Sequence, residues 1–267
     1  MEALFDALPR KWQHRWPPDA GTPIIVVEGL SRNPSVSAAS EMPMREKQRG
    51  TTRQGVRKMR SLRILCLHGY RGNADRLRNQ LRAICSVKES PARFECVNAP
   101  SLSQGDFGWW HAMPEAPTPG AELTARPMSY KGWPRTQACL ASIFKNKGPF
   151  DGVLGFSQGA CLTSLLVGMR GLANPDGAEI AFDFAIMIGG LVSSDRQHAE
   201  LYERRQSYDL PSLHVMGGND VVVPPTRSRQ LADRFVRPTI FQHDGGHVIP
   251  RHRSFSEAFA RFLKERQ

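Results

Sequence analysis

The sequence predicts an α/β fold in which a mostly parallel central sheet carries helices on both faces. Two patterns predict it. From Leu62 onward, short apolar runs of β type alternate with segments of helical periodicity, which is how strand–helix–strand units read in sequence. Near the middle of the chain, Val153-Leu154-Gly155-Phe156 runs straight into Ser157-Gln158-Gly159-Ala160 and then into an apolar helical pattern. A Gly-x-Ser-x-Gly string placed between a strand and a helix marks a sharp turn that exposes a serine at the carboxyl edge of the sheet. Glycines two residues before and after that serine let the neighbouring strand and helix approach each other.

The elements follow in order. Residues 62–67 form a buried-strand run, which opens into His68-Gly69-Tyr70 and a helix over 74–85. A strand at 93–97 leads into a Pro- and Gly-spotted insertion from about Ala99 to Lys131, and a helix over 134–145 follows. The strand at 151–156 and the helix at 158–170 flank Ser157. Strands at 182–188 and 211–216 come next, then a helix at 226–235, a strand at 238–242 and a closing helix at 252–265. The insertion is long for a structureless loop in a compact domain, and such loops are usually functional. Phe107, Trp109, Trp110 and Tyr130 give it large apolar surface. These aromatics suit either the wall of an acyl pocket, with Trp109, Trp110 and Tyr130 touching substrate, or pins that hold the loop to the sheet.

The chemistry follows from what a serine hydroxyl needs. It is a poor nucleophile at neutral pH, so a neutral imidazole must take its proton and a carboxylate must hold that imidazole in one tautomer. Beyond the apolar run Leu213 to Met216 stands Gly217-Gly218-Asn219-Asp220, and beyond the strand 239–242 stands His243-Asp244-Gly245-Gly246-His247. Asp220 is the leading acid and His247 the leading base. The chain order Ser, Asp, His matches that of the α/β-hydrolases and differs from the chymotrypsin and subtilisin orders. The oxyanion left by attack calls for backbone N–H donors. Gln158, at the start of a helix, supplies one, and Tyr70, in the loop after the first core strand, the other.

Competing assignments exist for each position. Asp220 could be a turn residue, since Gly-Asn-Asp favours turns. Asp195 follows the run Phe184 to Leu191 and is a rival acid. Asp244 is too close in sequence to His247 to orient it easily. His243 falls on the strand alternation, His252 opens the last helix, and His68 reads as a structural residue that shapes the oxyanion loop. Cys161 follows the elbow, but helical direction turns it into the core.

Leu67-His68-Gly69-Tyr70 with Asn73, the pair Trp109-Trp110, Tyr130-Lys131-Gly132, Gly155 to Ala160, Gly218-Asn219-Asp220 and Gly245-Gly246-His247 together carry a family resemblance. From about Leu62 to the C-terminus the chain resembles the FSH-type serine hydrolases, the α/β-hydrolase family that includes relatives of the ovarian-cancer-associated gene 2 protein. The resemblance implies a Ser-His-Asp esterase of small acyl esters or thioesters, with no cofactor and no metal. Acyl-protein thioesterases and carboxylesterases share the elbow string. Tyr70, the tryptophan pair and the Tyr-Lys-Gly segment favour the FSH type, as does Tyr70-Arg71-Gly72-Asn73 where the thioesterases usually carry Leu-Gly-Asp. A non-catalytic binding module on the same fold is the remaining alternative, and the three intact side chains argue against it.

Length and composition agree. A chain of 267 residues with 40% hydrophobic content can bury a sizeable core. Residues 61–267 make up the hydrolase domain. Residues 1–60 are rich in proline and basic residues, with Ile24 to Val27 as the one strand-like run, and read as a disordered extension. They hold 11 Lys and Arg against 6 Asp and Glu, so +5 of the net +11 lies there. That charge, and the Arg-rich stretch from Arg45 to Arg60, would suit an acidic surface, but no nucleic-acid motif accompanies it and no nucleic-acid partner is expected. Met59 could serve as an alternative start. An apolar h-region near the start is missing, which argues against a signal peptide. Early acids such as Glu2 and Asp6 are unlike a transit peptide, although organelle targeting by the arm stays open. No apolar stretch is long enough to span a bilayer. Five cysteines, an odd number without metal spacing, read as reduced thiols, which places the protein in the cytoplasm, with the nucleus also open. Nothing in the sequence indicates an oligomeric state.

Overall fold

The computed structural model of the protein describes residues 26–27, 60–84, 92–103, 106–115, 128–172, 177 and 179–267. Its main sheet orders the strands β3 (Ala92–Val97), β2 (Leu62–Leu67), β8 (Gly152–Phe156), β9 (Phe184–Ile188), β10 (Ser212–Gly217) and β11 (Pro238–His243), all parallel. At the β11 edge, β1 (Val26–Val27) pairs antiparallel with Phe241 and Ile240. Val26 and Val27 of the arm's strand-like run thus join the sheet. The rest of the arm, including the Arg-rich stretch up to Lys58 and Met59, lies outside the described residues, as does Cys85.

Parallel strands are covered on both faces, so their residues alternate between two cores rather than between core and water. Leu62, Ile64 and Cys66 of β2 pack on one side with Ala74, Leu77 and Leu81 of α1 (Ala74–Arg82) and with Phe255, Phe259 and Phe262 of α6 (Arg253–Lys264). Leu65 and Leu67 face the opposite core, with α2 (Trp133–Lys147), α3 (Gln158–Met169) and α5 (Pro225–Ala232). Every residue of α3 from Gln158 to Val167 is buried, so its few polar side chains, Gln158, Thr163 and Ser164, are hydrogen-bonded inside the protein. Removing a ring such as that of Phe259, 1% exposed, would cost about 3–5 kcal/mol.

Several boundaries differ from the sequence expectation. α1 stops at Arg82, after Asn73 Oδ1 caps its start by accepting from the Arg76 N–H at 2.8 Å. α5 stops at Ala232 because Phe235 turns inward against Tyr208 and His214. The insertion is not structureless. It contains β4 (Ser101–Ser103) paired with β5 (Asp106–Phe107), and β6 (His111–Pro114) paired with β7 (Met128–Lys131), both antiparallel. Strands of two to four residues are too short to show alternation. Residues 104–105 and 116–127, and the side chain of Phe107, lie outside the described part. Between β9 and β10, Asp195 caps a 3-10 turn (Arg196–His198) that leads into α4 (Ala199–Glu203), a segment without a clear sequence signal.

Candidate active site

The elbow is built where β8 meets α3. Ser157 has φ 56° and ψ −117°, a conformation costing about 1–3 kcal/mol that only surrounding structure can hold. Its N–H donates to Ile188 O at 2.8 Å, and its carbonyl accepts from the Cys161 N–H at 3.0 Å. The flanking glycines are required by contact. A Cβ on Gly155 would stand 2.1 Å from Gly159 O, and one on Gly159 would stand 2.1 Å from Leu67 O. Strand, helix and β2 therefore touch through backbone alone, and the Ser157 side chain is pushed to the carboxyl edge.

His247 reaches that edge from the loop after β11. Its Nε2 lies 2.8 Å from Ser157 Oγ, and its Nδ1 lies 2.6 Å from Asp220 Oδ2. With Nδ1–H donated to the carboxylate, Nε2 is left to accept the serine proton, the tautomer that nucleophilic activation needs. Asp220 is a turn residue and an imidazole partner at once. Its Oδ1 accepts from Val222 N at 2.9 Å and Val223 N at 2.8 Å, which leaves Oδ2 for His247. The Asp220 carboxylate is 2% exposed and the His247 ring 15%.

Gln158 follows the serine in the chain, and Tyr70 lies in the loop after β2. A Cβ on Gly69 would lie 3.1 Å from Ser157 Cβ, so the loop after β2 runs against Ser157. The orientation of the Tyr70 N–H follows from its own peptide, since in a trans peptide the N–H points away from the carbonyl. That carbonyl, Gly69 O, accepts from His68 Nδ1 at 2.7 Å and from Gly72 N at 3.0 Å. The Ala99 N–H donates to His68 Nε2 at 3.0 Å, so the ring's proton sits on Nδ1. Burial pushes the His68 pKa down, which favours this neutral form. Gln158 begins α3, where the first N–H groups have no helical acceptor.

The other candidates have different partners. Asp195 Oδ2 accepts from Tyr130 N at 2.7 Å and from Gln197 Nε2 at 2.7 Å, and its Oδ1 accepts from Gln197 N. Asp244 lends its carbonyl to Asn219 Nδ2. His243 is buried, accepts from Gly245 N, and is pushed down to about 4 by burial and by His252. His252 is the residue just before α6. Burial raises the Cys161 thiol to about 12, so it is not an activated nucleophile. Trp109, Trp110 and Tyr130 are 1%, 0% and 6% exposed, with Trp110 stacked on Tyr130 at 4.5 Å. Sequence reasoning missed the Gln158 side chain, whose Oε1 accepts from Trp109 N at 2.9 Å and whose Nε2 donates to Trp110 O at 2.8 Å. Among the described residues, no cluster of His, Cys, Asp and Glu could hold a metal, and no helix is long and apolar enough to cross a membrane.

Six parallel strands, helices on both faces, an elbow serine and an imidazole on the loop after the last strand define the α/β-hydrolase class. Solved structures of that class resemble the chain in fold: esterase PE8 with a TM-score of 0.55 at 22% identity, over 78% of this chain and 94% of that one, and Zea mays acyl-protein thioesterase 2 with 0.54 at 18%, over 79% and 95%. Within the class, the chain belongs to the serine hydrolase (FSH1) family, whose model matches residues 58–259. Esterase OVCA2 of Xenopus tropicalis is 34% identical over 216 residues, which cover 75% of this chain and 91% of that protein. Esterase C25G4.2 of Caenorhabditis elegans is 34% identical over 211 residues, covering 76% and 93%. By family, the chain is a serine hydrolase enzyme.

Proposed function

We propose that the protein hydrolyses small carboxylic esters or thioesters through an acyl-enzyme formed on Ser157, with His247 as general base and Asp220 as its orienting acid. The observation that carries this reading is the single imidazole held between the two side chains, 2.8 Å from the hydroxyl and 2.6 Å from the carboxylate. Ser157 Oγ attacks the acyl carbon as its proton passes to His247 Nε2. The carbonyl oxygen becomes an oxyanion, received by the N–H groups of Gln158 and Tyr70. Collapse expels the alcohol or thiol, which takes the proton from His247. Water then repeats the sequence on the acyl-enzyme, with His247 again as base. All atoms needed come from the chain, the substrate and water, so the reading invokes no cofactor.

The stacked pair Trp110 and Tyr130 lies beside α3 and is proposed to back the acyl site. The catalytic unit is taken as residues 61–267. Cys66, Cys96, Cys139 and Cys161 are free thiols, and the cytoplasm, with the nucleus as a further site, is proposed as the compartment from the odd cysteine count of the sequence.

Fluorophosphonate labelling of the wild type beside Ser157→Ala tests the reading, with p-nitrophenyl esters of increasing chain length and one thioester run in parallel. Labelling and turnover that vanish together in Ser157→Ala are expected, and the chain-length profile then sizes the pocket. A folded wild type that neither labels nor turns over would mark the chain as a non-catalytic binding module.

A further inference from the structure

Trp109 is buried with no direct part in the proposed proton transfers, yet it is bonded to both sides of the oxyanion site. Its indole Nε1–H donates to His68 O at 2.8 Å. That carbonyl belongs to the peptide immediately before the one that carries the Tyr70 N–H. Its main-chain N–H donates to Gln158 Oε1 at 2.9 Å, and the Gln158 amide returns a bond to Trp110 O at 2.8 Å. Thr136 Oγ1, on α2, donates to Trp109 O, so the residue is itself anchored from a third element. His68, Trp109 and Gln158 are 2%, 1% and 0% exposed, and the imidazole and indole rings lie 5.3 Å apart.

We infer that Trp109 is a positioning residue that holds the two oxyanion donors, the N–H groups of Tyr70 and Gln158, at a fixed separation. This rests on the proposed function above, in which those two groups receive the oxyanion. The physical reason is geometric. An oxyanion hole works because its donors are aimed before charge develops, and its two donors here come from segments far apart in sequence. The elbow is rigid through its glycine contacts and its helix. The loop 68–72, by contrast, contains Gly69, Gly72 and the left-handed Arg71 at φ 55°, so it needs outside support. His68 holds the Gly69 carbonyl from within the loop, and Trp109 ties the loop to the elbow residue itself. Buried bonds of this kind have no water to replace a missing partner, so loss of the indole N–H loosens the loop without touching Ser157, His247 or Asp220.

Trp109→Phe keeps an aromatic ring and removes the indole N–H. The expected result is a fall in kcat between about tenfold and a hundredfold with KM little changed. A trifluoromethyl ketone, which forms the tetrahedral oxyanion on an active serine, should bind weaker by the same factor. The pH–rate profile should keep its shape, because the His247–Asp220 contact is untouched. Trp133→Phe, a buried tryptophan of the same core (4% exposed), is the control and should lose thermal stability without that kcat loss. An unchanged kcat in Trp109→Phe overturns the inference. So does an equal kcat loss in Trp133→Phe, which would mean general loosening, or a rise in KM alone, which would make Trp109 a wall of the acyl site. Wild-type turnover that survives Ser157→Ala would instead overturn the catalytic reading on which the inference stands.

Discussion

Among the described residues, two Ser, His, Asp groupings lie at the carboxyl edge of the sheet, and only one has the geometry that the proposed mechanism requires. The first is Ser157, His247 and Asp220. The second is Ser193, His198 and Asp195, all from the loop and turn after β9. Both aspartates are 5% exposed, and both use Oδ1 to cap a turn two residues on. The difference lies in the remaining atoms. Asp220 Oδ2 meets an imidazole, whereas Asp195 Oδ2 is taken by the Tyr130 N–H and the Gln197 amide. His247 meets its serine through Nε2. His198 meets Ser193 Oγ through Nδ1 at 2.9 Å, and its buried Nε2 has no partner among the described residues. Residue types in proximity do not make a triad. The carboxylate must hold one ring nitrogen so that the other can take a proton, and the serine must stand on a strained turn that presents its hydroxyl to that ring.

The comparison is most severely tested at the serines. Ser157→Ala should lower turnover by at least about 10⁴-fold, since a triad acts as a unit. Ser193→Ala should keep turnover within about threefold of wild type, and fluorophosphonate labelling of the two variants separates them directly. If Ser193→Ala also abolished labelling, the second grouping would be more than structural.

The carboxylates should split the same way. Asp220→Asn is expected to cost about 10⁴-fold in kcat by disturbing the imidazole tautomer. Asp195→Asn should leave kcat nearly intact and lower the unfolding free energy by about 1–3 kcal/mol, as the Tyr130 and Gln197 donors lose part of their acceptor. Urea unfolding and steady-state kinetics on the same two preparations read both effects. A large kcat loss in Asp195→Asn with unchanged stability would reverse the assignment.

The smallest effect concerns imidazoles that serve structure. Burial holds His198 below the usual imidazole range, and holds His243 at about 4 and His214 at about 3. The unfolded chain binds protons near pH 6.5 that the folded chain refuses until much lower pH. Stability is therefore fully present above about pH 6.5 and is lost as pH falls, by about 1.4 kcal/mol per pH unit each for His243 and His214 until their folded pKa values are reached. His214→Gln should unfold with a shallower dependence between pH 6.5 and 4. Equal slopes for wild type and variant would show that His214 is not held neutral.

Much of the site could be read from the chain because its parts are local. The elbow is a five-residue string whose glycines are demanded by backbone contact, and Asp220 and His247 each follow a short strand, where this fold exposes side chains. The six parallel strands were legible for a similar reason, since burial on both faces leaves continuous apolar runs. The insertion was not. β6 and β7 gain their meaning from pairing with each other, and four-residue strands carry too little periodicity to announce it. Trp109 stood out as an aromatic of the insertion, but its bond to the Gln158 side chain was equally opaque, because a contact between residues 49 positions apart has no sequence signature.

Local patterning settled the class of fold, the Gly-x-Ser-x-Gly turn and the order of the candidate catalytic types along the chain. These depend on propensity, patterning and steric demands within a few residues. The tertiary structure alone decided which aspartate faces which imidazole, which ring nitrogen meets a serine, and how the loop of Tyr70 is tied to the helix of Gln158. The physical reason is that hydrogen bonds are directional over about 3 Å. Only the packed sheet brings the ends of β2, β8, β10 and β11 within that distance.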